Sequence, residues 1–308
     1  MIEVREANSQ EMKRNIKTVR KMTGGMGFDE NMGKVNWAAI RRISNIGYKF
    51  MPKDKGTKFE KIKLGSIKAE ITFPKQQSSE NIIMYIHGGG FVSGSASSSR
   101  GYCSMLANYS GCRVIAVNYA LAPEYAYPSG VNDCFEAYQE ILRKYSQSKI
   151  ALVGESAGAN LCLVTTLKAI AERIQKPAGV IVHSPFVDFC GKLDRSQHEI
   201  NDFTVKEGCL KPLREIYVGE SKPENQEISP IYGDMKDFPP LRITCDSNET
   251  LYADSLALYN KCEQAGINVC LIEMRGTFHA FATIGTGTPE TKQILIENMQ
   301  FINECFAG

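Results

Sequence analysis

From about residue 80 the chain alternates between short apolar runs and longer amphipathic stretches. Ile82–Ile86, Val114–Tyr119, Ile150–Val153, Val180–His183, Leu241–Thr244 and Val269–Glu273 are the apolar runs. Between them apolar residues recur at helical spacing over about 97–109, 130–145, 157–172, 251–265 and 289–306. Short buried strands separated by amphipathic helices predict a mostly parallel sheet with helices on both faces. Residues 57–64 and 67–73 alternate polar and apolar instead, like an antiparallel pair, so the sheet is read as mixed.

Two regions break this rhythm. Residues 1–50 read as helical and partly apolar through Met12, Ile16, Val19, Met22, Trp37, Ile40 and Ile43. Residues 189–235 carry helical pieces but no strand run, and they fall between two strands. Ligands of open α/β sheets bind at the carboxyl ends of the strands, and both ends of this insertion lie near that edge. The expectation is a helical cap from residues 1–50 and about 189–228. One α/β domain then comes from 51–188 and 229–308.

Composition narrows the function. The 308 residues are 43% hydrophobic and 23% charged, an ordinary globular mixture with room for one large domain and a cap. A net charge of +2 offers no attraction to nucleic acid or acidic membranes. No apolar run is long enough for a membrane span, and the charged N-terminus does not read as a signal peptide. None of the ten cysteines forms a C-x-x-C pair, and most sit in apolar segments such as ANLCLV. Reduced, buried thiols in a cytoplasmic protein are expected, with no metal site.

The chemistry is concentrated in three places. IALVGESAG at 150–158 is an apolar strand running into G-x-S-x-G, and a helical pattern follows at once. That order puts a serine, Ser156, on a sharp turn with its hydroxyl exposed above the sheet. His87-Gly88-Gly89-Gly90 directly follows the strand IIMYI. Three successive glycines suit backbone N–H groups that approach a reacting atom, so Gly88, Gly89 and Ala157 are the expected oxyanion donors. His87 is read as positioning this loop, His183 as a hydrogen-bonded core residue and His198 as solvated. His279, after the last strand run and before the final helix, is the candidate base. Its orienting acid should follow LRITC, where Asp246 and Glu249 both qualify; Asp254 should lie a turn into the next helix, capping or facing solvent.

Taken together and in order, the segments HGGGFVSGS, NYALAPEYAYPSGVND, GESAG, SPFVD, SPIYGD, FPPLRITCDSNETLYADS and FHAF closely resemble the hormone-sensitive-lipase family of carboxylesterases. The resemblance covers roughly residues 80–305 and is weaker over 1–55. It implies an α/β-hydrolase fold with a mostly parallel eight-stranded sheet and a helical cap. It implies Ser156 as nucleophile, His279 as base, Glu249 as acid, and an oxyanion hole at Gly88, Gly89 and Ala157. The second elbow residue, often Asp in the family, is here Glu155. The implied activity is hydrolysis of short-acyl esters of small molecules without a cofactor, by a protein that forms a homodimer in many relatives. An amidase or lactonase would use the same triad, and a small-molecule receptor would keep the fold without turnover. Met22, Met26, Phe28, Trp37 and Phe203 are the apolar residues that the cap would turn toward a substrate.

Overall fold

A computed structural model of the chain describes residues 1–23, 29–48, 52–196 and 202–308. Its strands are β1 (Ile2–Glu6), β2 (Lys58–Leu64), β3 (Ile67–Phe73), β4 (Ile82–Ile86), β5 (Arg113–Val117), β6 (Ile150–Glu155), β7 (Gly179–His183), β8 (Leu241–Asp246) and β9 (Val269–Arg275). Among the described residues these nine form one sheet, in the order β1-β9-β8-β7-β6-β4-β5-β3-β2. From β1 to β5 all neighbours are parallel; β3 and β2 join antiparallel. The sheet is mixed and mostly parallel as expected, but it has nine strands rather than eight.

The additional strand corrects the reading of residues 1–50 as helical. β1 lies at the sheet edge with Ile2 beside Leu271 and Glu6 beside Arg275. Five residues with two half-exposed apolar side chains give almost no periodic signal, and the strand is held mainly by backbone pairing. The Met1 amino group adds a bond to Val269 O (3.0 Å), and Arg5 pairs with Glu297 (2.9 Å).

Helices α1 (Gln10–Thr23), α2 (Trp37–Tyr48), α3 (Arg100–Ser110), α4 (Ser129–Lys144), α5 (Ala157–Ala171), α6 (Leu210–Tyr217), α7 (Tyr252–Gln264) and α8 (Pro289–Ala307) surround the sheet. The strand period of two sorts the core between the faces. Ile82, Met84 and Ile86 of β4 pack with α4, α5 and α7, while Ile83 and Tyr85 pack with α3 and α8. The central strands are therefore apolar on both faces, which is why they read as continuous apolar runs.

α6 packs against the short turn Met32–Lys34. Arg41 of α2 donates to Val92 O (2.7 Å) and Ala122 O (2.5 Å), and it pairs with Glu124 (2.8 Å). Residues from both breaks in the rhythm thus meet above the carboxyl edge of the sheet. Trp37 is buried and donates its indole N–H to Met32 O at 3.2 Å. The side chains of Met22 and Ile43, together with Met26, Phe28 and His198, lie outside what the structure describes. All ten cysteines are free thiols, most of them buried.

Candidate active site

The elbow follows from β6 running directly into α5. Ser156 has φ 54° and ψ −119°, a conformation that a side chain rarely adopts and that the surrounding structure must impose. Its N–H donates to His183 O (2.9 Å), and its carbonyl accepts from Asn160 N (3.1 Å). The glycines allow the crossing. A Cβ at Gly158 would stand 2.0 Å from Ile86 O, and one at Gly154 would stand 2.7 Å from Gly158 O.

The glycine loop differs from the expectation at one position. Gly88 N–H donates to Glu155 Oε1 at 2.7 Å, and Tyr85 OH donates to the other oxygen of the same carboxylate. Gly88 is therefore engaged and does not point a free donor at the serine. Gly89 and Gly90, at φ 108° and 60°, have N–H groups with no acceptor among the described residues, and Gly90 lines a pocket with Ser156 and Ala157. The loop is braced from behind. His87 Nδ1–H donates to Gly88 O (2.8 Å), its ring stacks on Tyr119 (4.4 Å), and Tyr119 OH donates to His87 O (2.9 Å). Burial lowers the His87 pKa to about 4, so this imidazole is neutral and positions the loop. Burial also pushes the Glu155 carboxyl up to about 7, against the pull of its two donors.

His279 and Glu249 come together. Glu249 is 1% exposed, and its Oε2 lies 3.3 Å from His279 Nδ1. That is ion-pair range, longer than a tight charge-assisted hydrogen bond of about 2.7–2.9 Å, and sites of this kind tighten when substrate binds. Burial drives the Glu249 pKa up to about 7, opposed by the His279 cation. Burial opposes charge on His279, but Glu249, with smaller parts from Asp202 and Glu155, holds the imidazole above its ordinary value. Ser184 was not singled out in the sequence. Its hydroxyl donates to Glu249 Oε2 (2.9 Å) and accepts from Ala280 N (2.9 Å), so it connects the acid to the residue after His279. His183 and Ser184 are consecutive at the end of β7, and they touch the elbow and the acid respectively.

The remaining candidates separate cleanly. Asp246 Oδ2 accepts from Thr277 N and Thr277 Oγ1, both at 2.6 Å, and Oδ1 accepts from Asn248 N at 2.7 Å. It shapes the turns that carry Glu249 and His279. Asp254, expected to cap or face solvent, is instead fully buried, with two bonds from Arg195 at 2.6 and 2.8 Å. The cause is Arg195, which arrives from a distant segment. His183 is a core residue whose Nε2 meets Tyr102 OH at 3.0 Å, and burial lowers its pKa to about 3.

Two spaces adjoin the elbow. A pocket of about 20 Å³ is walled by Phe91, Phe186, Val205, Leu213 and Leu251 next to Ser156. A wider cleft of about 460 Å³ runs along Gly88, Gly89 and Glu155 to Thr283–Gly287. Among the described residues no group of three or more His, Cys, Asp or Glu is placed to hold a metal. Nor is any described helix long and apolar enough to cross a membrane.

Residues 83–283 match the model of a family described by the alpha/beta hydrolase fold. An esterase from the bacterial hormone-sensitive lipase family superposes with a TM-score of 0.89 at 27% identity, over 97% of this chain and 99% of that one. The chain belongs to this family of α/β hydrolases. The hydrolase is also 29% identical to an esterase of Acinetobacter venetianus, over 85% of this chain and 88% of the relative. It is 28% identical to an arylesterase of Saccharolobus solfataricus, over 84% and 88%.

Proposed function

We propose that this hydrolase is a serine carboxylesterase acting through an acyl-enzyme, with Ser156 as nucleophile, His279 as base and Glu249 as orienting acid. The observation that carries the reading is the buried Glu249–His279 pair at 3.3 Å, on the sheet edge where the strained Ser156 turn stands. His279 takes the Ser156 proton as Oγ attacks the ester carbonyl. The oxyanion is received by the N–H groups of Gly89, Gly90 and Ala157, each such donor worth about 10²–10³ in rate. His279 returns the proton to the departing alcohol, then activates water to release the acid. Residues 29–48 and 202–217 serve as the cap.

The pocket beside Ser156 sets the acyl size. A space of about 20 Å³ with apolar walls holds little more than a methyl group unless the cap segment yields. Each methylene that fits gains about 0.8 kcal/mol, and one that clashes forfeits it. On p-nitrophenyl esters kcat/KM should peak between acetyl and hexanoyl and fall beyond. A steady climb to long-chain triglycerides, with activation at an oil–water interface, would instead identify a lipase.

The experiment that tests the reading is covalent. An organophosphate p-nitrophenyl ester should inactivate the enzyme, release one nitrophenol per chain and leave the phosphoryl group on Ser156 in peptide mass spectra. No burst and no label would overturn it. Ser184→Ala should lower kcat about tenfold or more with KM nearly unchanged, because a hydrogen bond to a charged group contributes about 1.5–3 kcal/mol. An unchanged kcat would remove Ser184 from the acid's support.

A further inference from the structure

Asp202 stands where the wall of the acyl pocket meets the catalytic acid. It is 3% exposed. Its Oδ1 accepts from Thr204 N, Thr204 Oγ1 and Val205 N at 2.8, 2.6 and 3.0 Å. Its Oδ2 accepts from Thr250 N at 2.9 Å, and Thr250 Oγ1 donates back to Val205 O at 2.6 Å. Thr250 directly follows Glu249, and Val205 lines the pocket against Ser156. The two segments are therefore tied in both directions within one residue of the acid.

A simple anchor for the chain could use any buried hydrogen bonds. This anchor is a carboxylate, and it faces the same 250 Å³ pocket as Glu249 and His279. We propose that Asp202 is a positioning residue of the esterase site, tying the chain that closes the acyl pocket to the loop that carries Glu249. Filling the pocket and setting the acid–base pair then become one event. The inference rests on the serine-esterase reading.

Its charge gives a readout that a structural anchor lacks. Burial lowers the proton affinity of His279; against it act Glu249 first, then Asp202, and Glu155 by a smaller part from the elbow. Asp246 from the end of β8 and Arg20 from α1 face the same pocket, Arg20 lying 4.8 Å over the Phe203 ring, and Lys206 Nζ donates to the Asp202 carbonyl. The base works when neutral, so kcat/KM rises with pH through the His279 pKa. Removing the Asp202 charge lowers that pKa and moves the acid limb to lower pH.

The test compares Asp202→Asn and Thr250→Val with wild type on p-nitrophenyl acetate and butyrate, with pH profiles of kcat/KM. Asp202→Asn should move the acid limb down by about half a unit or more. It should also change the butyrate-to-acetate ratio of kcat/KM about threefold or more, since it loosens Val205. Thr250→Val removes only the uncharged tie, so it should change the ratio and leave the limb in place. A limb and ratio both unchanged in a folded Asp202→Asn overturn the proposal. So does a moved limb with an unchanged ratio, which would show charge without coupling. Should Asp202→Asn not fold, an unchanged ratio in Thr250→Val overturns it alone. Labelling of wild-type Ser156 by the organophosphate separates the two levels. Absent labelling rejects the esterase reading, whereas normal labelling with unaltered variants rejects only the role of Asp202.

Discussion

If the proposed triad operates, Ser156→Ala should lower kcat on short-chain esters by about six orders of magnitude, and His279→Ala should do nearly the same. The reason is that each acts only with the other. Without the hydroxyl there is nothing for the imidazole to deprotonate, and without the imidazole the hydroxyl is a poor nucleophile at neutral pH. The double variant is therefore no worse than either single one. The check is kcat for all three proteins from preparations free of contaminating esterase, with near-ultraviolet circular dichroism to show the fold. Ser156 occupies φ 54° in the wild type, and alanine must adopt the same turn, so the backbone strain stays while the chemistry goes. Losses that add in the double variant, or more than about one part in a thousand remaining in Ser156→Ala, would move the nucleophile elsewhere.

Most of the fold and part of the site were legible in the chain. Ile82–Ile86 and Ile150–Val153 announce central strands because both of their faces are buried. The elbow was legible because strand, turn and helix are contiguous, with glycines where backbones cross within van der Waals contact. What failed depended on partners remote in sequence. Which N–H of the glycine loop is already engaged is decided by Glu155, 67 residues from Gly88, and the glutamate in place of the family's usual aspartate was the only hint. Asp254 looked like a helix-surface acid until Arg195 arrived from a different segment. Ser184 is an ordinary strand-end serine until the fold sets it between Glu249 and Ala280. Edge strand β1 has too few apolar positions to show a period of two.

The two acids after β8 should separate by what they lose. Glu249→Gln should lower kcat by about 10⁴, with KM little changed and the protein folded. In the proposed triad the carboxylate 3.3 Å from His279 Nδ1 favours the proton on that nitrogen, which would leave Nε2 free to act as the base. An amide can turn its NH₂ toward the ring, which favours the tautomer with the proton on the wrong nitrogen. It also removes the charge that stabilises the imidazolium. Ser184 Oγ cannot substitute, because its hydroxyl already bridges Glu249 and Ala280. Asp246→Asn should instead cost mainly stability. Its carboxylate holds Thr277 through two bonds at 2.6 Å and Asn248 through one at 2.7 Å, and none reaches His279. Asparagine can keep some of these bonds in neutral form, so a loss of about 1–3 kcal/mol is expected. At about 2–4 °C per kcal/mol or somewhat less in a chain of this size, Tm should fall by several degrees. The turnover of Asp246→Asn should stay within about tenfold of wild type, since Thr277 lies two residues before the base and its drift is felt only indirectly. Both variants are read by kcat at a fixed pH on the neutral plateau and by thermal melts. The reverse ranking, with both proteins folded, would give the triad position to Asp246 and leave Glu249 as its support.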